Sequence, residues 1–459
     1  MKRTKVVATC GPSSADPDVL AAMVEAGMDV ARINASHGSA EQQATLAERV
    51  RETARSLRRP VGLMLDTPGP AVRVGSEAEP LDVERGDEVL LGPGGVPVTY
   101  AGLAEDVPCG TQVLLADGQL VLTAVGRDGR GLRCRVERGG RLEPGKRVNV
   151  PGASLRLPFL TAADEEALRL ARELDFELVA LSFVRSPEDV DKVRRFLGEA
   201  TPWLVAKVEA AEAVRDMEGV VAAADGAMVA RGDLGVEIDP YQVPLVQRRL
   251  VDACNAHAKP VIVATQMLRS MVSSPVPTRA EVADVAAAVW DGADAVMLSE
   301  ETAVGQFPVE AVRVMSRAAQ AAEGGEVAIR VPGLASSLVG EVPAAMARAA
   351  HAVAQEVDAK AIVCATVSGW TARLVAAFRP RVPVVATTPT GGVPQRLVLV
   401  WGVIPLQMEF ADDPEALVSA SLRAARAAGV LQAGERAVIL AGLPFREVGT
   451  TNVLRVAAA

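Results

Sequence analysis

A chain of 459 residues, 49% apolar but only 3% aromatic, can bury large cores of Ala, Val and Leu, and its length suits about three units of ~150 residues or one barrel of ~250 with additions. Its formal net charge of -9 argues against nucleic acid as the main partner, because little would neutralise a long run of backbone phosphates. The five cysteines (Cys10, Cys109, Cys134, Cys254, Cys364) are scattered without metal-ligand spacing and read as reduced thiols. The start, MKRTKVVATCGPSS, is basic but lacks the apolar stretch of a signal peptide, and no apolar run reaches the ~18 residues of a membrane span. A cytoplasmic protein without a membrane partner is expected.

From the N-terminus the chain repeats one grammar, a short apolar run ending in polar residues and then an amphipathic helix. VVAT ends at Thr9, VARIN at Asn34 and GLMLD at Asp66. LVALSF ends at Phe183, LVAKV at Val208, AMVA at Ala230, VIVAT at Thr265 and AVML at Leu298. Nearly continuous aliphatic runs are the pattern of parallel strands buried on both faces. Asp16-Pro17 and Gly27 bracket a first helix, and Ser39/Gln42, Ser186/Asp189 and Thr278/Glu281 have capping-box or related spacing. In the last of these helices Val282, Val285, Ala286 and Val289 are expected on one face. Eight strand–helix units fit a (β/α)8 barrel, with a doubly wound open sheet as the alternative.

The rhythm breaks after the third strand. Residues 70–153 lack helical periodicity and carry turn signals at Asp117-Gly118, Asp128-Gly129 and Gly139-Gly140. They read as an inserted all-β lid, here expected to be a β-barrel, over the C-terminal face of the larger barrel at 1–69 and 154–325. A helix near Thr161 resumes the barrel. Residues 326–459 read as a C-terminal α/β domain: helix 343–357, strand AIVCA, helix 371–378, strand VPVVAT, helix 394–400, helix 413–429 and strand AVIL.

Side chains at the strand ends can carry chemistry. Lys207 and Glu209 are two apart and share one side of a strand, where an ammonium in an apolar context needs an anionic partner. A surface Lys–Glu pair is the bland alternative. Asp233 follows the sixth strand, either as a turn residue or, with Glu209, as the oxygen ligand set that Mg2+ or Mn2+ prefers. Arg32, Asn34 and Ser36 end the second strand and Asp66 and Thr67 the third, so they are caps and turns or else ligands for a second cation and a phosphate. Thr265 ends the seventh strand and is equally a proton-delivery candidate or a simple hydrogen-bonding residue. His37 contacts a nucleotide or closes a turn, while Ser299, Glu300 and Glu301 are further candidates, Glu300 and Glu301 being equally able to cap the next helix. His257 and His351 read as structural. No phosphate-binding P-loop or GxGxxG occurs in a strand–helix context.

TKVVATCGPSS, GMDVARINASHG, LDTPGP, AKVEAAEAV, GAMVARGDLGVEI, ATQML, PTRAEVADVAAAVWDGADAVMLSEETAVGQFPVEAV and GTTN occur in the order seen in pyruvate kinases, from Thr4 to about Val456. The chain resembles that family over nearly its whole length. The resemblance implies transfer of the phosphoryl group of phosphoenolpyruvate to ADP, giving pyruvate and ATP, on a barrel with a lid and an effector-binding, tetramer-forming C-terminal domain. Lys207 matches the lysine that stabilises the phosphoryl group in flight, and Glu209 and Asp233 match the Mg2+ ligands. Asn34, Ser36, Asp66 and Thr67 match the K+ site, and Arg32 and Arg73 match phosphate-binding arginines. Gly232, Asp233 and Thr265 match substrate-binding positions, and Asn34, His37, Arg73 and Lys146 match nucleotide contacts. Thr366, Ser368, Gly369 and Thr371 match a loop that cradles a phosphorylated effector.

Some positions depart from the family. Pro68 stands where it usually has Lys, and Ala71 where K+-requiring members have Glu and K+-independent ones Lys. Val367 and Trp370 replace the Lys and Arg of many members regulated by fructose 1,6-bisphosphate, and Glu300 makes SEET of the commoner SGET. The further C-terminal phosphohistidine-type domain of some bacterial relatives is not expected. Two alternatives are a catalytically weak sensor of phosphometabolites and another barrel enzyme of phosphoenolpyruvate or pyruvate, such as a lyase or mutase.

Overall fold

A computed structural model describes residues 2–459 except 117, 199–201, 326, 332, 410–412 and 443–449. Eight parallel strands close into a barrel in the order β1-β8-β7-β6-β5-β4-β3-β2, which decides against the open sheet. They are β1 Lys5–Cys10, β2 Val30–Asn34, β3 Gly62–Asp66, β4 Leu178–Leu181, β5 Trp203–Val208, β6 Gly226–Ala230, β7 Val261–Ala264 and β8 Ala295–Leu298. All eight are buried almost throughout, as uninterrupted aliphatic runs require. Alternate residues divide between two cores. Val6, Ala8, Ala31, Ile33, Leu63 and Leu65 pack with the surrounding helices, while Val7, Val30, Met64, Ala180, Val205, Met228 and Met297 fill the barrel.

Helix starts follow the local chemistry. Asp16 accepts N–H bonds from Asp18 and Val19 ahead of helix Pro17–Ala26, which ends at Gly27 with φ +117, a conformation that favours glycine. Ser39, Thr161 and Thr278 each form a capping box. Ser186 does not: its side chain bonds to the Glu188 carboxylate rather than capping the helix, and Asp189 is held by Lys192 and the Arg185 backbone. Val282 is also a correction. It is exposed, and the packed face of helix Arg279–Asp291 runs through Val285, Ala288 and Val289.

Between β3 and the helix Ala162–Glu173, the chain forms a five-stranded antiparallel sheet and a two-stranded ribbon around a core of Val74, Leu91, Val113, Leu122 and Val136. The outer strands Val148–Asn149 and Glu88–Leu91 are joined through two short segments by the bridges Arg73–Arg147, Val74–Val98 and Leu91–Val96, so the pairing runs right round as in the small β-barrel expected. Asp128-Gly129 turns a hairpin between Leu120–Asp128 and Gly131–Arg138. Gly139-Gly140 instead carries the chain from the sheet to the ribbon, where Gly140–Leu142 pairs with Leu81–Val83. Gly118 has φ +80 in the turn before Leu120, and Asp117 lies outside the described residues.

The C-terminal sheet has the order Val403–Gln407, Val384–Thr388, Ala361–Ala365, Arg436–Gly442, Thr451–Ala458, parallel except for the last strand. It packs at the N-terminal end of the barrel. There Lys5 Nζ donates to Val403 O at 2.8 Å and Arg373 Nε to Ala258 O at 2.8 Å. The opposite, C-terminal mouth of the barrel is left to the inserted segment.

Candidate active site

Period two along β5 carries the chain from the packed barrel to its mouth. Trp203 and Val205 lie in the interior core, so Lys207 and Glu209 continue on that side. The same step along neighbouring strands leads from Val7 to Thr9, Val30 to Arg32, Met64 to Asp66 and Ala180 to Ser182. A polar layer therefore caps an apolar column. Lys207 Nζ donates to Ser182 Oγ at 2.7 Å and Asp66 Oδ1 at 3.1 Å, and stands 2.8 Å from Glu209 Oε1. Arg32 donates to Asp66 Oδ2 at 2.7 Å and Thr9 Oγ1 at 2.8 Å. Ser182 Oγ in turn donates to Thr67 O at 2.6 Å.

Burial alone would lower the Lys207 pKa, but the Asp66 and Glu209 carboxylates overcome it and hold the ammonium above its ordinary value. Burial works against Asp66 too, yet Arg32 and Lys207 keep it below the usual carboxylate range. Glu209 goes the other way. It is fully buried with neither oxygen accepting a hydrogen bond, since the Lys207 contact is an ion pair without hydrogen-bond geometry. Burial, reinforced by Asp233, pushes Glu209 up to about 7. A buried carboxylate whose one close partner is the Lys207 ammonium at Oε1, and whose Oε2 has none, has spare coordination capacity beside a second carboxylate for a hard divalent cation.

Gly232 N–H donates to Thr265 Oγ1 at 2.7 Å, tying the start of helix Arg231–Glu237 to the end of β7. Thr265 holds φ +71 and Gln266 φ +56, and a β-branched residue in the left-handed region is strained. The Arg231 guanidinium anchors this turn by reaching Thr265 O at 2.7 Å and Asp284 at 2.7 and 2.8 Å.

A single cleft of about 1040 Å3 is lined by Arg32, Asn34, Ser36, His37, Asp66, Thr67, Lys207, Asp233, Thr265, Ser299 and Glu300. Glu209 sits against Lys207 behind its wall. Glu301 is a structural cap, accepting from Leu268 N–H at 3.2 Å and Ser299 N–H at 2.7 Å. Arg73 and Lys146 are not brought to the lining. Arg73 donates to Gly145 O at 2.9 Å, and Lys146 pairs with Glu143 at 3.3 Å. His257 faces Glu218 and His351 stacks on Phe378, both away from the cleft.

Thr9, Ser182 and Arg147 are among the lining residues that were not singled out as site residues from sequence. Thr9 and Ser182 continue the period-two pattern of β1 and β4, a signal available in advance, whereas Arg147 comes from the inserted segment and had none.

The full-length comparisons agree with this geometry. Residues 1–312 match the family model for the pyruvate kinase barrel domain, and residues 344–457 that for the pyruvate kinase alpha/beta domain. The chain belongs to the pyruvate kinase family. It is 39% identical to a pyruvate kinase of Staphylococcus epidermidis and 40% identical to one of Geobacillus stearothermophilus, each match covering 99% of this chain and 80% of the relative. It is 40% identical to pyruvate kinase 2 of a Synechocystis species, covering 99% of this chain and 79% of that one. As a family member the chain is a phosphotransferase, a pyruvate kinase of glycolysis.

In the C-terminal loop expected to bind an effector, both threonine hydroxyls already have partners within the protein. Thr366 Oγ1 accepts from Gly369 N–H at 3.0 Å, Thr371 shares a hydrogen bond with Thr451 at 2.8 Å, and Gly369 holds φ +86. Ser368 is part-exposed, and Trp370 lies under the Arg373 guanidinium at 5.1 Å.

Proposed function

We propose that phosphoryl transfer from phosphoenolpyruvate to ADP takes place in the cleft over β5 and β6, with Lys207, Glu209 and Asp233 at its centre. The observation that supports this most is the charge balance there. A buried, firmly protonated lysine faces the cleft beside a buried glutamate whose oxygens have no hydrogen bond. Such a group is costly unless a ligand completes it.

In this reading Glu209 and Asp233 hold Mg2+ or Mn2+, which would neutralise charge on the phosphate oxygens and so favour transfer. The Glu209 carboxylate, with Oε1 paired only to Lys207 and Oε2 without a partner, fits that role. Lys207 stabilises the charge that develops on the migrating group, and Arg32, fixed between Thr9 and Asp66, orients a phosphate oxygen. Gly232 and Thr265 position the other end of the substrate. When the phosphorus–oxygen bond to phosphoenolpyruvate breaks, the electron pair stays on the enolate, whose methylene carbon then takes a proton. Thr265, through water, is the residue proposed to deliver it.

Asn34, Ser36, Asp66 and Thr67 all line the cleft and are proposed as K+ ligands, Asn34 Oδ1 being used by Ser36 N–H at 3.1 Å. Asn34, His37, Arg73 and Lys146 remain the proposed nucleotide contacts, which for Arg73 and Lys146 requires movement of the inserted segment. Residues 70–153 are proposed as a lid that excludes water during transfer. A phosphorylated effector at Thr366, Ser368, Gly369 and Thr371, a homotetramer and a cytoplasmic location complete the proposal. No helix among the described residues is long and apolar enough to cross a membrane.

A lactate dehydrogenase-coupled assay with phosphoenolpyruvate, ADP and Mg2+, run with and without K+ and sugar phosphates, tests the reading. Turnover that requires ADP is the expected result. Carbon–carbon cleavage without ADP would replace the proposal with a lyase.

A further inference from the structure

Among the described residues of the inserted segment, one lines the cleft, and it is Arg147 rather than Lys146. Lys146 is half-exposed and turned to Glu143, while Arg147 lines the cleft together with Arg32 and Lys207. Its guanidinium donates to Asp233 Oδ1 and lies 5.0 Å over the ring of Phe183, a residue held at φ +55 at the end of β4. Two positions on, Asn149 Nδ2 donates to Glu237 Oε1 at 2.8 Å. Both contacts land on the helix Arg231–Glu237, so the returning edge of the insertion is fastened there at two points.

These contacts differ in kind. Asn149–Glu237 is a bond between groups with no place in the proposed reaction. Arg147, by contrast, uses an oxygen of one of the two carboxylates proposed for the divalent cation. A guanidinium and a compact dication cannot share that oxygen, and the dication has the stronger claim on a hard carboxylate. A displaced guanidinium would stay tethered above the cleft by the strand Val148–Asn149 and by its stacking on Phe183. Its planar fork of N–H donors matches a phosphate as well as it matches a carboxylate.

We propose that Arg147 is a substrate-phosphate ligand held in reserve on Asp233: cation binding releases it, and it then grips a phosphate oxygen of phosphoenolpyruvate or of ADP. The grip of the insertion on the barrel thus passes from Asp233 to the bound substrate. This rests on the reading above, in which Asp233 holds the dication and the cleft takes phosphorylated substrates.

The test uses the full chain with Arg147→Ala and Arg147→Lys. Mn2+ binding is followed by electron paramagnetic resonance without substrates, and KM is then measured for each substrate. With its competitor gone, Arg147→Ala should bind Mn2+ roughly fivefold more tightly. It should nevertheless raise the KM of one substrate roughly ten- to hundredfold, identifying whose phosphate is held. Arg147→Lys keeps the charge without the fork and should fall between wild type and Arg147→Ala on both measures, and it serves alone if the alanine variant does not fold. Unchanged or weaker Mn2+ binding overturns the proposal, as does a rise below twofold in both KM values. A wild-type chain without turnover removes the functional reading instead, and the Mn2+ titration then decides the competition at Asp233 by itself.

Discussion

The two ends of the barrel each bury a cluster of charges, and they differ in how far their carboxylates are satisfied, although Arg379 Nε and Trp401 Nε1 at the C-terminal-domain end are themselves without a hydrogen bond. At the end facing the C-terminal domain, Asp294 accepts from Arg379 at 3.0 and 3.1 Å, from Trp401 N–H at 3.0 Å and from Val261 N–H at 3.2 Å. Arg379 goes on to Asn255 Oδ1 at 2.8 Å and Gly292 O at 2.6 Å, and covers the Trp401 ring at 5.2 Å. Every oxygen of that carboxylate is used. At the mouth, Glu209 is as deeply buried and accepts no hydrogen bond. A cluster that fastens two domains saturates its carboxylates, whereas one that must receive a ligand keeps capacity open at a cost in stability.

The sharpest way to break this comparison is Lys207→Met. If the mouth exists for chemistry, kcat in the coupled assay should fall by roughly 10^3-fold or more while the circular dichroism of the fold persists. A variant with near wild-type turnover would remove the central assignment. Next in size, Asp294→Ala should leave Arg379 buried and uncompensated and lower stability by about 3–5 kcal/mol in urea unfolding, with kcat near wild type. A large fall in kcat with little loss of stability would reverse the roles of the two ends.

A pH series in chelator sharpens the contrast further. Glu209 is raised to about 7 from an ordinary 4.5, chiefly by burial, so the folded state binds the extra proton between those values. Its contribution to stability is then present below about 4.5 and lost as pH rises to about 7. The melting temperature of Glu209→Gln, which carries no such group, should gain on wild type across that window and hold its lead above it. Parallel curves would mean that the carboxylate is already satisfied. The smallest effect is expected for Ser182→Ala, which takes one hydrogen bond from Lys207. Its kcat/KM should fall by roughly tenfold or less.

Much of this was legible beforehand where the physics is local. The barrel strands announced themselves as unbroken aliphatic runs, and capping at Asp16, Ser39 and Thr278 followed from side chains three residues or fewer from their partners, while the same spacing at Ser186 produced no cap. Two strands of the C-terminal sheet were not foreseen. Val403–Gln407 contains Pro405, and Thr451–Ala458 alternates imperfectly as an antiparallel edge, so neither reads as a buried parallel strand. Val282 has the spacing of a packed residue and is exposed, because the helix presents its neighbours Val285, Ala288 and Val289 to the core.

The amino-acid order by itself determined that Lys207 and Glu209 share a side of β5, since a strand alternates its side chains whatever surrounds it. It likewise determined that Arg32 and Asp66 stand at polar strand ends. Only the tertiary structure decided that Arg147 and Asp233, 86 positions apart, meet across the cleft while Lys146 turns away. Alternation is a property of a few consecutive peptide units, but that meeting depends on how a whole inserted sheet leans on the barrel, which no short window of residues encodes.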